Sequence, residues 1–334
     1  MIAPPARLEL ALAPTPLLRL DRLSCRLGVE LYVKRDDLTG LLESGNKVRK
    51  LEFLVGEALQ GAADTLITCG EADSNGCRAV AAVAARLGLR AVLVIRGERP
   101  TAYDGNLLLG RLLGAEIRYC RAGDPGELME VIAGEVRAGG GRPYVIPEGG
   151  AGGLGALGYV ECAVELSEQI HHGAPRFDAV VIAAGSGGSH AGLLMGKQLA
   201  GLPGEIVGVP VDAPADRVRA SIVATMSRAI ERFGFAIEIP KTIHLLDGYQ
   251  GAGRGEVAAE LDVIVRLARD EGLLLDPVYT ARAFRGLVET LSRDPQALGP
   301  RVCFIHTGGL FSLFPLRERL TRALATQPSE GYRA

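Results

Sequence analysis

Ser44-Gly45-Asn46-Lys47-Val48-Arg49-Lys50-Leu51-Glu52 follows a β-like run, Leu31 to Arg35, and an acidic turn, Asp36 to Gly40. It leads straight into helical apolar spacing at Leu51, Leu54, Val55 and Ala58. A lysine in the first turn of a helix is oddly placed, because the helix dipole puts partial positive charge there. Two lysines in that turn, with Arg49 between them, point to an anion nearby or to a lysine meant to lose its charge. A desolvated lysine is what Schiff-base chemistry with a carbonyl cofactor requires. The plain alternative is a solvated helix start with ordinary surface lysines.

At 334 residues the chain suits two lobes or one large α/β unit with ample core. Hydrophobic residues make up 48% and aromatic residues 5%, and tryptophan is absent. That composition fits parallel strands buried on both faces. A formal charge of −2 argues against a nucleic-acid or anionic-membrane partner, and no apolar run reaches membrane-spanning length. The apolar N-terminal stretch is broken by Pro4, Pro5, Pro14 and Pro16 and lacks a basic leading segment, so a signal peptide is not expected. The cysteines, at 25, 69, 77, 120, 162 and 303, form no CxxC and no pairing with histidine. They read as reduced, mostly buried thiols of a cytoplasmic protein, with no metal site.

Strand and helix patterns alternate almost throughout, which predicts an α/β fold with mostly parallel, doubly wound sheets. Strands are expected at Thr65–Thr68, Arg90–Ile95, Glu116–Tyr119, Pro143–Ile146, Ala179–Ala183, Ile206–Val211 and Val302–His306. Helices are expected over 47–60, 75–87, 105–113, 127–137, 157–171, 189–199, 216–233, 255–271, 280–292 and 310–325. The glycine-rich stretch Glu148 to Gly155 is the expected crossing between lobes, and Gln327 to Ala334 reads as a polar tail.

Ligands of such sheets sit at the carboxyl ends of the strands, so the loops there carry the information. Asp73-Ser74-Asn75-Gly76 opens a helix, where free amides and polar side chains suit a carboxylate or phenolate, or simply cap the helix. Gly185-Ser186-Gly187-Gly188-Ser189-His190 lets the backbone wrap a phosphate. It is not a dinucleotide fingerprint, since His190 takes the third glycine's place. Leu275-Asp276-Pro277-Val278-Tyr279-Thr280 reads as a further strand end leading into a helix, and His306-Thr307-Gly308-Gly309 closes the last strand. Gly40 to Gly45 has P-loop glycine spacing, but Asn46 stands where the lysine belongs, which excludes an NTPase loop.

These five motifs, in this order from about Ala13 to Phe314, resemble the fold-type II pyridoxal phosphate enzymes of the tryptophan synthase β kind. They are most similar to the branch of 1-aminocyclopropane-1-carboxylate (ACC) deaminase and D-cysteine desulfhydrase. The resemblance implies pyridoxal 5'-phosphate between a large lobe, 1–47 plus 160–334, and a small lobe, 48–159. It implies a small amino-acid substrate and a homodimer.

The resemblance also implies roles. Lys47, in preference to Lys50, would link to the cofactor and shuttle the substrate's α-proton. Asn75 would meet the phenolate oxygen, and Ser74 with nearby amides the substrate carboxylate. Gly185, Ser186, Gly187, Gly188 and Ser189 would cradle the phosphate. Tyr279 and Tyr249 would lie beside ring and substrate, and Thr280, with Thr307 nearby, would face the ring nitrogen where ACC deaminases carry glutamate. A hydroxyl holds the ring proton less well than a carboxylate, which favours β-elimination from a substrate such as D-cysteine over cyclopropane opening. Other cysteine derivatives fit the same chemistry, and a non-catalytic binding protein is the reading from another class. Gly76, followed by Cys77, departs from the large polar or imidazole side chain usual after Ser-Asn: either a contact to the substrate carboxylate is lost or room is made for a bulkier substrate.

Overall fold

The computed structural model describes residues 5–251 and 258–326. In chain order the strands are β1 (Leu17–Arg19), β2 (Glu30–Lys34), β3 (Thr65–Gly70), β4 (Arg90–Arg96), β5 (Glu116–Cys120), β6 (Pro143–Val145), β7 (Ala179–Ala184), β8 (Glu205–Pro210), β9 (His244–Leu245) and β10 (Arg301–Ile305). The helices are α1 (Asp21–Leu27), α2 (Asn46–Gln60), α3 (Asn75–Leu87), α4 (Gly105–Leu112), α5 (Pro125–Ala138), α6 (Gly153–His171), α7 (Gly188–Ala200), α8 (Ala215–Phe233), α9 (Ala258–Glu271), α10 (Thr280–Arg293) and α11 (Arg317–Thr326).

The strands form two sheets, one ordered β1-β2-β10-β7-β8-β9 and one ordered β5-β4-β3-β6. Every pairing is parallel except β1 with β2. This is the two-lobed α/β architecture the alternating pattern predicts. All six residues of β3 are buried, as expected of a parallel strand covered on both faces. One apolar cluster runs from Leu66 and Leu93 of the smaller sheet to Val180 and Ile182 of the larger, through α2, α6 and α7. Glycines let these helices touch backbone to backbone: a Cβ on Gly158 would strike Arg49 O, and one on Gly192 would strike Ala156 O.

Two expectations need correction, three short elements went unread, and one helix start lies outside the described residues. The short edge elements β1, β9 and α1 carry too few residues to display a period. Residues 273–276 join neither sheet; His306 Nε2 lies 2.9 Å from Leu274 O and helps hold this segment beside β10. The helix expected over 310–325 is a 3₁₀ turn, Leu310–Leu316, followed by α11, and Pro315 marks the break. The helix expected from Gly255 begins, within the described residues, at Ala258. Among the described residues no helix is long and apolar enough to cross a membrane.

Beneath α2 lies a buried ionic cluster. Arg49 bonds Asp36 through Nε and Nη2, both at 2.9 Å, and Glu165 through Nη1 at 2.9 Å. Lys34 donates to Glu165 at 2.5 Å and Tyr159 to Asp36 at 2.9 Å. These contacts tie β2, α2 and α6 together two residues beyond Lys47.

Candidate active site

The carboxyl ends of β7, β8 and β10 and the N-termini of α2, α3, α7 and α8 surround a cavity of about 460 Å³. Lys47 and Lys50 enter it from the first turns of α2. Their Nζ atoms lie 3.3 and 3.4 Å from one acceptor, Gly149 O. Gly149 has φ 64°, a left-handed conformation that turns its carbonyl to the lysines at little cost. Lys50 is buried, and its pKa falls well below the ordinary lysine value, first from desolvation and then from the charge of Lys47.

The loop before α2 is set against β10's end. Asn46 N donates to Thr307 O at 3.1 Å, and Asn46 Nδ2 to Ser189 Oγ at 3.2 Å. Gly45 is required there: its φ is 96°, and a Cβ would lie 2.6 Å from Thr307 O.

Gly185, Ser186, Gly187, Gly188 and Ser189 form one wall, as the sequence predicts. Gly187 takes φ 77° and leads into α7, whose first amides have no intrahelical acceptors. A Cβ on Gly187 would lie 2.7 Å from Ile222 Cγ1, and one on Gly188 would lie 3.1 Å from Lys50 Nζ. Ser221 of α8 donates to Ser186 O at 2.8 Å and steadies the loop.

Asn75 lines the cavity at the start of α3. Its Oδ1 accepts from Arg78 Nη1 and from Asn106 Nδ2, each at 3.0 Å. Arginine only donates, so the amide oxygen must face it, which leaves Nδ2 as the donor end toward the cavity. Tyr279 and Thr307 line the same space.

Three predicted residues are not brought to this wall. Ser74 caps α3, its Oγ accepting from Cys77 N at 3.1 Å, which is the plain capping role. Thr280 is wholly buried; its hydroxyl accepts from Asp276 N and donates to Asp276 Oδ2, both at 2.7 Å. The Thr280 proton is therefore committed to Asp276, and of that pair only Thr307 lines the cavity. Tyr249 packs in the core with its hydroxyl donating to Glu289 at 3.2 Å and the Arg285 guanidinium 5.4 Å from its ring centre.

Several lining residues were given no role in the site by the sequence. Asp276 contributes a carboxylate whose oxygens accept from Val278 N, Tyr279 N and Thr280 N at 2.7–2.9 Å. Glu148, bonded twice to Arg96 at 2.8 Å, stands at the mouth with Asp212 and Arg217. Behind Asn75, Arg78 is nearly fully buried; a single charge in the apolar run Cys77 to Ala84 was the available signal. Gly76 borders a small recess shared with Lys47 and Gly149. Its own conformation does not demand glycine, and a Cβ would meet Ser74 Oγ at 3.5 Å and Gly149 Cα at 3.7 Å, ordinary contacts.

A glycine cradle at a helix start beside two lysines, one of them buried, is built for a phosphorylated aldehyde. Residues 8–308 match the family described as pyridoxal-phosphate dependent enzyme. The chain belongs to that family. It is 41% identical over 314 residues to a protein of Pyrococcus abyssi provisionally named a 1-aminocyclopropane-1-carboxylate deaminase, covering 93% of each chain. It is 42% identical over 315 residues to a D-cysteine desulfhydrase of Salmonella newport, covering 92% of this chain and 95% of that one. The solved structure of an ACC deaminase homologue superposes with a TM-score of 0.86 at 37% identity, covering 95% of this chain and 96% of that one. This pyridoxal-phosphate-dependent enzyme thus has the cofactor and the fold type that its five motifs imply.

The residues present fit the cofactor. The 185–189 loop and the amides of α7 suit its phosphate, Lys50 stands by with a buried amine that a phosphate would recharge, and Asn75 Nδ2 suits an anionic ring oxygen. When bound, the cofactor supplies an aldehyde that links to an amine and a conjugated ring that accepts electrons from the substrate's α-carbon.

Proposed function

We propose that the enzyme is a β-eliminating lyase and deaminase of small β-substituted amino acids, of the D-cysteine desulfhydrase kind. With D-cysteine and one water it gives pyruvate, ammonia and hydrogen sulfide: the Cα–H and Cβ–S bonds break, and water replaces the nitrogen. The convergence of Lys47 and Lys50 on Gly149 O, opposite the 185–189 cradle, carries this reading. Lys47 would hold the cofactor's aldehyde, and its amine is the group that would move the proton at the substrate's α-carbon. Asn75 and the amides at the start of α3 take the anionic groups, and Gly185 to Ser189 hold the phosphate. Tyr279 closes the cavity beside the substrate. Tyr249 and Ser74 act through the elements they brace.

The choice of β-elimination over ring opening is supported at the Thr280 position. The carboxylate nearest that place, Asp276, is committed to three backbone amides and the Thr280 hydroxyl. Asp276 is therefore not free to hold a proton on the ring, which suits a carbanion drained by a departing β-substituent. Assay of D-cysteine beside ACC separates the two readings: faster release of pyruvate from D-cysteine supports this one, and faster release of 2-oxobutyrate from ACC replaces it.

The lobe limits 48–159 and 1–47 plus 160–334 belong to the same proposal, supported by the containment of β3 to β6 within the former. Six cysteines without a disulfide support a cytoplasmic setting. A homodimer rests on analogy and is read by light scattering.

A further inference from the structure

Arg78 is only 1% exposed, in the second turn of α3, and burial lowers its pKa no further than about 10, so it stays charged. Buried charges are ordinarily matched by an opposite charge. Here the partners are neutral: Leu42 O at 2.6 Å, Ser44 O at 2.7 Å, Asn106 Oδ1 at 2.8 Å and Asn75 Oδ1 at 3.0 Å. The flat face lies 5.0 Å from the Phe311 ring centre. Glu43, the carboxylate whose field reaches it, is itself bonded to Arg86 at 3.4 Å.

These contacts bear on the site from two sides. Leu42 and Ser44 belong to the loop that delivers Lys47, and Asn75 stands on the cavity wall. A cation on an amide's oxygen draws electron density from its nitrogen and makes the N–H groups stronger donors, as in any cooperative hydrogen-bond chain. Such a donor prefers an anion.

We propose that Arg78 is a positioning residue for the cofactor's phenolate oxygen: through Asn75 Oδ1 it fixes and polarises the amide that meets that oxygen, and the oxygen's charge matches its own. The inference rests on the reading of this cavity as the pyridoxal phosphate site. It gives Asn75 a cationic partner one turn along α3 and explains a buried arginine whose bonds run to neutral oxygens.

The test compares the dissociation constants of pyridoxal 5'-phosphate and of its 3-deoxy analogue, titrated against the cofactor-free full chain. The wild-type protein should bind the analogue about tenfold more weakly, the scale of one hydrogen bond to a charged group. Arg78→Lys keeps a charge but cannot reach four acceptors, and should shrink that ratio to about threefold or less. In an Asn75→Ala background Arg78→Lys should leave the ratio unchanged, because the two residues act in series. A purely structural arginine would weaken both compounds alike and preserve the ratio, which would overturn the proposal. So would a wild-type ratio near one, an arm that needs no variant to fold. A wild-type protein that takes up neither compound would instead overturn the cofactor reading beneath it.

Discussion

Lys47 and Lys50, one turn apart on α2, share a single acceptor, the carbonyl of Gly149, at 3.3 and 3.4 Å. The two lysines differ in depth. Lys50 is buried beside Gly188 of the 185–189 loop, whereas Lys47 borders the recess that Gly76 shares. Lys47→Ala should abolish turnover while leaving the melting transition of the cofactor-free protein in place. Lys50→Ala should keep a measurable visible band but raise the dissociation constant for pyridoxal phosphate roughly ten- to a hundredfold, the scale of a charge-assisted bond. The reverse outcome, turnover surviving in Lys47→Ala, would exchange the two roles.

The ionic cluster around Arg49 should be worth far more than any surface pair. Arg49→Met would strand Asp36 and Glu165 in the interior and should cost about 3–5 kcal/mol in denaturant unfolding. Arg90→Ala, which removes an exposed pair with Glu116 at 3.0 Å, should cost about 1 kcal/mol or less. Similar losses for both would mean that the cluster contributes no more than surface charge does.

Acid should destabilise the fold in two stages. Burial depresses His190 from 6.5 to about 4, so the unfolded chain takes up a proton that the folded chain refuses. Stability should fall as pH drops from about 6.5 to about 4, by about 3 kcal/mol at the most. Burial raises the Asp36 pKa, but Arg49 more than reverses this and holds it below its usual 3.8. Its contribution is therefore present above that value and lost as pH falls below it. Unfolding free energies of His190→Leu should be flat across the first window and fall across the second; an unchanged slope above pH 4 would remove His190 from the account.

Gly45 and Gly76 make opposite predictions. Gly45→Ala forces a side chain into φ 96° against Thr307 O and should both destabilise the fold and weaken cofactor binding, since this loop carries Lys47. Gly76→Ala meets only ordinary contacts and should leave the melting temperature nearly unchanged. It narrows the space beside Lys47, so its effect should appear in the relative rates on small and bulkier β-substituted amino acids. Equal thermal losses in both variants would show that Gly76 is a backbone requirement rather than a shape.

The fold was largely legible in the sequence, because buried parallel strands such as β7, Ala179–Ala184, are continuous apolar runs and the helices between them keep a clear period. Elements of two to seven residues at sheet edges, such as β1, β9 and α1, offer no period to read. Within the site, the glycines of 185–189 and the lysines at the start of α2 were local signals, and both line the cavity; the preference for Lys47 over Lys50 came from the resemblance. Gly149 and Arg78 were not visible, because their meaning lies in partners such as Lys47 and Asn106, 102 and 28 positions away; Asp276 stood in a quoted motif, but its bonds to the turn that follows it show only in three dimensions. Thr280 shows the converse limit: its place in the chain suggested a hydroxyl toward the ring, and only the structure reveals that Asp276 claims it.

The most direct measurement is the visible absorption spectrum of the purified protein before and after D-cysteine, with pyruvate and sulfide assayed in the same cuvette. A visible band that shifts on addition, with the two products released in equal amounts, is the predicted result. A colourless protein that gains no band with added pyridoxal phosphate would contradict the account at its root.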